Sequence, residues 1–367
     1  MPVRLAPLQA LVSNPLPEEV PGALVALIGD HPSGYSRSPR IWTPVFRHLG
    51  IDAAYLPLDV PPSRLEAVLT VLRETEGCLG ANVTVPYKEA VVPLLDDVDA
   101  VASAVGAVNT VVRSLRGRLA GTNTDGVGLV AALLHPGTDA PLVETLYGLT
   151  VLLIGGGGAA RAAAAGLAPL LGTGELLVTN RTAARAEDAA ARARAVGGRA
   201  RAIPEDDLDE VLPAVDLVIN ASLRGQAGIR QTPQGWTCLE PYSALAPADP
   251  PVLPRMPEEA FMAAWRARAQ AGVEANHARS RERVRRLPRG AAVFDMIYAP
   301  AETPLVRHAR DAGLRAAGGR WMNIAQAVEA CVAHVCARRI AELGIDREAA
   351  RAEVTRLMAE AWDGQSP

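Results

Sequence analysis

The sequence holds no apolar run near the roughly 18 residues that a membrane-spanning helix requires. Prolines break its first 20 residues and leave no continuous apolar centre, so a secretory leader is not expected either. Cysteine is scarce. Cys78, Cys238, Cys331 and Cys336 form no C-x-x-C pair, which points to free thiols rather than a disulfide frame or a zinc site. The six histidines show no H-x-x-x-H or H-E-x-x-H spacing, and no metal is expected. Neither sign of charge prevails. A formal net charge of −3 gives no general attraction to nucleic acid or to a membrane surface. These absences leave a cytoplasmic enzyme as the expectation.

The sharpest shortage is lysine. Of 37 basic residues, 36 are Arg and one is Lys, at position 88. A guanidinium stays protonated in proteins, whereas an ammonium gives up its proton when its surroundings demand it. Lys88 is therefore a candidate proton carrier, against the plainer alternative of a leftover surface charge.

Apolar residues make up 49% of the 367, enough for a sizeable core and for two or three domains. Residues 1–22 read as a proline-interrupted tail. Apolar runs predict strands over 24–28, 54–58, 81–85, 150–154, 176–179, 216–220 and 292–296. Helices are expected over 41–49, 63–74, 125–134, 182–196, 321–343 and 346–362. Residues 108–113 and 118–122 flank a Ser-Leu-Arg-Gly turn and predict a hairpin. Pro86 sits where a helix starts, which puts Lys88 in a first turn, where the helix dipole disfavours a protonated amine. The alternation of strand and helix argues an α/β chain with a parallel, doubly wound sheet. Segment 223–293 far exceeds the roughly 12–15 residues above which loops become uncommon. Its Arg-rich stretch, 257–286, predicts a helix in a solvated insertion. Glu258, Glu259, Glu274 and Glu282 interleave with those arginines and argue against nucleic-acid binding.

Gly155, Gly157 and Ala160 fit G-x-G-x-x-A between an apolar strand and a helix. Such glycines let the backbone approach a pyrophosphate, and the helix N-terminus supplies amide donors. An NAD site usually carries an acid about 20 residues on. Here the second strand ends in Asn180-Arg181-Thr182, with Arg185 one turn beyond. Two guanidiniums suit a 2′-phosphate, hence NADP. The alternative is a solvated Arg pair on an Arg-rich helix.

Polar residues gather in three clusters of the first half: Ser36 and Ser38; Asn82 to Lys88, including Thr84; and Asn109-Thr110 with Thr122 to Gly126. Singly, each reads as turn or cap chemistry. Together they offer hydroxyls, amides, one ammonium and the Asp125 carboxylate near strand ends, where open α/β sheets bind ligands. That set suits a small, anionic, many-hydroxyl substrate. A Lys88–Asp125 pair can move a proton at an alcohol oxygen while a hydride moves at the same carbon.

N-V-T-V-P-Y-K-E (82–89), G-A-V-N-T-V (106–111), G-T-N-T-D-G (121–126), I-G-G-G-G-A-A-R (154–161) and N-R-T (180–182) resemble the shikimate dehydrogenase family. N-A-S (220–222), F-D-M-I-Y-A-P-A-E-T-P-L (294–305) and M-N-I-A-Q-A (322–327) do so too. The resemblance is collinear over roughly 24–222 and 291–345, and it implies NADPH-dependent reduction of 3-dehydroshikimate to shikimate in aromatic amino acid biosynthesis. It implies that Ser36 and Ser38 bind the substrate carboxylate and that Thr84, Asn109, Asp125 and Gln326 bind ring hydroxyls. Lys88 and Asp125 become the catalytic pair, and Tyr298 lies at the domain cleft. Gly155, Gly156, Gly157, Gly158 and Ala159 hold the pyrophosphate, and Asn180, Arg181, Thr182 and Arg185 the adenosine phosphate. Ser222 and Met296 complete the cofactor set.

The implied fold is an α/β substrate domain, 23–125, completed by C-terminal helices from 321–367. A Rossmann domain over 126–320 carries an insertion at about 225–290. Two departures stand out: an insertion roughly forty residues longer than the family usually carries, and Gly319-Arg320-Trp321-Met322 where a Gly-Leu-rich lead is usual. A monomer or homodimer is expected. The alternatives are a quinate or dual quinate/shikimate enzyme and a non-catalytic NADP(H)-binding regulator. The first is disfavoured by Ser38, where quinate-accepting relatives often have Thr, and the second by the intact Lys88 and Asp125. A methylenetetrahydrofolate dehydrogenase shares the architecture but has no need of the S-R-S loop.

Overall fold

The computed structural model describes residues 2–137 and 139–364. It forms two compact units, Met1–Gly128 with Ile324–Pro367, and Leu129–Asn323.

The first unit opens with β1 (Val3–Arg4), antiparallel to β2 (Glu19–Val20). Its main strands are β3 (Ala23–Gly29), β4 (Ala53–Asp59), β5 (Cys78–Val83), β6 (Asp97–Val98), β7 (Thr110–Arg113) and β8 (Leu119–Thr122). They form one sheet in the order β4-β3-β5-β7-β8-β6. Strands β4, β3 and β5 run parallel, whereas β7 is antiparallel to both β5 and β8, so this sheet is mixed. All seven residues of β3 are buried, as expected of a central strand covered on both faces. Residues 1–22 are not a free tail. Val3, Leu5, Leu8 and Val20 are buried in the same core as Leu24, Ile28 and Leu58.

The second unit carries β9 (Thr150–Ile154), β10 (Glu175–Thr179), β11 (Ala200–Ala202), β12 (Leu217–Asn220), a hairpin of β13 (Ile229–Thr232) and β14 (Gly235–Cys238), β15 (Ala292–Asp295) and β16 (Arg315–Ala317). The main sheet is wholly parallel in the order β11-β10-β9-β12-β15-β16. Numbered along the sheet that is 3-2-1-4-5-6, the doubly wound dinucleotide-binding topology.

Segment 223–293 contains the β13–β14 hairpin and the helix Glu258–Arg286. It is not merely solvated. Tyr242, Leu253, Phe261, Trp265 and Ala269 form their own buried cluster. Ala244, Leu245, Val284 and Leu287 enter the core beneath the parallel sheet. Arg283 is buried and spreads its guanidinium over Asp209 Oδ1 (3.2 Å), the Leu245 carbonyl (3.2 Å) and the Glu205 carbonyl (3.1 Å). Ser280 Oγ lies 2.7 Å from Ser243 Oγ and 2.9 Å from His308 Nδ1. The four cysteines are free and buried. Among the described residues, no helix is long and apolar enough to cross a membrane, and no group of three His, Cys, Asp or Glu could hold a metal ion.

Candidate active site

Lys88 follows the end of β5. Residues 85–91 form successive turns there, not the expected helix. The reason is local. The Lys88 carbonyl accepts from Val108 N (2.7 Å), so it is lost to a helical ladder, and Val92 N turns to Glu89 O instead (3.2 Å). The helix-dipole argument for Lys88 therefore falls away, and its setting comes from Asp125. That residue opens the helix Asp125–Leu134, whose first turn favours negative charge. Its amide donates to Asn123 Oδ1 (3.0 Å). Lys88 Nζ donates to Asp125 Oδ2 at 2.7 Å, and Asn109 Nδ2 donates to Oδ1 at 2.8 Å. Lys88 is 23% exposed and Asp125 8%. A pair removed from water this far is held only if its remaining lone pairs are satisfied, which is what Asn109 does.

Asn109 is itself fixed. Its Oδ1 accepts from Thr124 N (2.9 Å) and Thr110 Oγ1 (2.9 Å). Asn82 Nδ2 donates to Thr110 Oγ1 (3.3 Å), and Tyr55 OH donates to Asn82 Oδ1 (2.9 Å). Burial pushes the Tyr55 hydroxyl far above its usual pKa, while a hydrogen bond with Ser38 opposes the rise. Ser38 starts the helix Ser38–Leu49, and its amide donates to Ser36 Oγ (3.2 Å), which leaves the Ser36 O–H as a donor. Arg37 between them stacks over Trp362, 4.7 Å from the ring centroid. Thr84 is half-buried, its amide bonded to Ile28 O (2.8 Å). Thr124 Oγ1 reaches Gln326 Oε1 at 3.4 Å. The first unit thus holds Ser36, Ser38, Thr84, Lys88, Asn109, Asp125 and Gln326, and hydrogen bonds link Lys88, Asn109, Asp125 and Gln326 through Thr124. Tyr298 belongs to the second unit.

In the second unit β9 runs into Gly155 to Gly158. Gly155 has φ +139°, and a Cβ there would meet the Ala221 carbonyl at 2.9 Å. Gly156 passes Arg185 so closely that a Cβ would lie 2.7 Å from the arginine Cβ. Gly157 is exposed with open space beside it, and it caps the helix Gly158–Leu167, which includes Ala159. The chain is thus bare of side chains where helix amides point outward, which fits a pyrophosphate. Asn180 Nδ2 donates to the Thr182 carbonyl (3.1 Å). Arg181 and Arg185 are exposed and make no ion pair or hydrogen bond through their guanidiniums among the described residues. Two uncommitted cations beside this turn fit a further phosphate.

Asp295, the last residue of β15, is completely buried. Its Oδ1 accepts from Asn220 Nδ2 (2.9 Å) and Ile297 N (3.0 Å), and its Oδ2 from Thr303 Oγ1 (2.7 Å). Burial raises its pKa to about 7. Asn220 Oδ1 in turn accepts from Ser222 N (2.9 Å) and Oγ (2.7 Å), and Met296 N donates to the Asn220 carbonyl (2.9 Å). One carboxylate therefore fixes the segments that carry Ser222 and Met296.

A shikimate dehydrogenase (NADP(+)) of Rubrobacter xylanophilus is 36% identical over 309 residues, 84% of this chain and 89% of that protein. The chain belongs to the shikimate dehydrogenase family. Residues 27–111 match the family profile for the shikimate dehydrogenase substrate binding domain, and 140–232 that for shikimate / quinate 5-dehydrogenase. Among solved structures, quinate dehydrogenase from Corynebacterium glutamicum in complex with NAD superposes with TM-score 0.66 at 26% identity, over 94% of this chain and 99% of that one. Shikimate 5-dehydrogenase from Thermus thermophilus in complex with NADP(H) and shikimate does so with TM-score 0.61 at 27% identity, over 92% and 99%.

For a shikimate dehydrogenase family member, the site holds fixed polar groups to which the sequence assigns no role. Tyr55, Asn82 and Thr110 brace Asn109, and Asn220, Asp295 and Thr303 brace the segments that carry Ser222 and Met296. Asn82, Asn220 and Asp295 had a usable signal: an amide or carboxylate near or at the end of an otherwise apolar strand. Tyr55 had none beyond being aromatic in β4.

Proposed function

We propose that this protein is an NADP-dependent shikimate dehydrogenase that interconverts 3-dehydroshikimate and shikimate. The observation that carries the reading is the 2.7 Å contact of the chain's one lysine with Asp125, inside a cluster of amides and hydroxyls. Bound NADPH supplies the hydride to the ring carbonyl carbon. Lys88 donates the proton to the oxygen that becomes the alcohol, and in the reverse direction it takes the hydroxyl proton. Asp125 holds the lysine at that oxygen and, with Thr84, Asn109 and Gln326, accepts or donates to the ring hydroxyls. Ser36 and Ser38 bind the carboxylate through their O–H groups, and Tyr298 completes the substrate set. Gly155 to Ala159 hold the pyrophosphate, with Ser222 and Met296 beside them, and Asn180, Arg181, Thr182 and Arg185 the 2′-phosphate.

The free guanidiniums of Arg181 and Arg185 favour NADP over NAD, and Ser38 favours shikimate over quinate. The domains follow the two units, with the family's substrate domain in the first and its dinucleotide domain in the second. The enzyme works in the cytoplasm as a monomer or homodimer. Initial rates with shikimate and with quinate, each with NADP and with NAD, test the reading. Shikimate with NADP gives the highest kcat/KM of the four pairs, and a preference for quinate with NAD overturns it.

A further inference from the structure

Asp59 ends β4 and is 1% exposed. No motif contains it, and neither the proton path nor the cofactor turn uses it. Its oxygens are nevertheless fully engaged, and every side-chain partner comes from the loop leading to Ser36 and Ser38. Oδ1 accepts from Ser33 N at 2.9 Å. Oδ2 accepts from Ser33 Oγ at 2.5 Å and lies 2.8 Å from His31 Nδ1. His31 is otherwise largely exposed, so its ring is held chiefly by this carboxylate.

The geometry converts that grip into a position for Ser36. Residues Pro32–Tyr35 make a single helical turn, closed by Ser36 N donating to the Pro32 carbonyl at 3.0 Å. Ser33 lies inside that turn and His31 enters it, with Gly34 N bonded to the His31 carbonyl at 3.2 Å. Holding both residues fixes where Ser36 begins, and Ser36 Oγ then receives the Ser38 amide. The carboxylate has a firm base. Ser13 N donates to the Asp59 carbonyl (2.9 Å), and Asp59 N donates to Asn14 Oδ1 (2.7 Å). The N-terminal segment thereby clamps the end of β4 from the other side. A single four-residue turn is weak alone, because helical nucleation fixes several dihedrals for one hydrogen bond. An external clamp is what keeps it in one geometry.

We propose that Asp59 is a positioning residue for substrate recognition: it latches the 31–36 turn so that the Ser36 hydroxyl is presented to the substrate carboxylate. The inference rests on the proposed shikimate reading. Asp59 acts through Ser36 and does not touch substrate.

Asp59→Asn and Ser33→Ala are compared with the unaltered protein, alone and combined with Ser36→Ala. Hydrogen bonds to charged groups are worth enough that removing the latch should raise KM for shikimate about tenfold. With Asp59→Asn, kcat stays within about threefold and KM for NADP is unchanged, because misplacing a binding group need not disturb Lys88. Ser33→Ala shifts KM the same way, by less. In the Ser36→Ala background, Asp59→Asn adds under about twofold, since the hydroxyl it positions is gone. Equal KM losses in both backgrounds, or a joint fall in kcat and in affinity for both ligands, overturn the proposal. Amide hydrogen exchange over residues 32–38 reads the latch without turnover. It must speed up in Asp59→Asn, and unchanged exchange also overturns the proposal. If the unaltered protein does not oxidise shikimate, the functional reading fails on that result, and the latch still stands or falls by exchange.

Discussion

Asp295→Asn separates a cost of burial from a gain in organisation. In the unfolded chain this carboxyl ionises near its usual value of 3.8, and in the fold burial lifts it to about 7. Between those values the folded protein keeps a proton that the unfolded chain has released. Stability therefore falls as pH rises from about 4 to about 7 and levels off above, with a slope near 1.4 kcal/mol per pH unit. Asn has no such slope, and its geometry can be accommodated. Its oxygen replaces the acceptor facing Ile297 N and Asn220 Nδ2, and its amide can donate to Thr303 Oγ1. Between pH 5 and pH 7 the unaltered protein should thus lose up to about 3 kcal/mol relative to Asp295→Asn. At about 2–4 °C per kcal/mol for a unit of this size, the gap in Tm widens by roughly 6–12 °C. Thermal unfolding followed by circular dichroism at pH 5, 6, 7 and 8 measures it. A gap that stays constant across that range refutes the reasoning, because it means that Asp295 is ionised in the fold as it is in the unfolded chain.

Lys88→Arg keeps the charge but cannot release a proton near neutral pH, so kcat should fall by about 10²–10⁴-fold while the substrate KM moves less; near-normal kcat from pH 6 to 10 would mean that the proton comes from elsewhere. Arg181→Ala should raise KM for NADP by roughly ten- to hundredfold and leave NAD nearly untouched, and equal losses for both cofactors would make Arg181 structural. Replacing residues 225–289 by a short linker looks harmless on the sequence, where every motif lies outside the segment. The structure reverses that expectation. The deletion strips Ala244, Leu245, Val284 and Leu287 from the sheet's core and should leave the protein insoluble or unfolded by circular dichroism; a folded, active product would show that this core closes without them.

Most of the architecture was legible because the buried strands are continuous apolar runs. The bounds of β9, Thr150–Ile154, and of the helix Asp125–Leu134 coincide with those expected from the sequence. The parallel order of the second unit follows from the alternation, but the mixed sheet of the first does not, since β7 of the β7–β8 hairpin pairs antiparallel with β5. The N-terminal segment reads as a tail because β1 and β2 have two residues each, too few to show a period of two. In the helix Glu258–Arg286 the buried stripe begins with Phe261, Trp265 and Ala269, then continues through Asn276, Ser280 and Arg283. Hydropathy does not count those polar residues as core, and only their partners make burial affordable. At the site, the Lys88–Asp125 pairing was readable from residue types. The turns around Lys88 were not, because they depend on Val108, twenty residues downstream, which takes up its carbonyl.

The solitary lysine gives the protein an unusual handle for reagents. Amine-selective acylating or alkylating compounds find one side chain in the whole sequence, and it sits 2.7 Å from Asp125. Apart from the α-amino group, any label taken up through such chemistry reports on one place, with no background from a lysine-covered surface. Its rate of uptake, read by peptide mass, would follow how ligands shield that ammonium and how often its carboxylate partner lets it go. A protease that cuts after lysine would cleave the unfolded chain once, between Lys88 and Glu89, and a blocked cut would register the same modification on a gel.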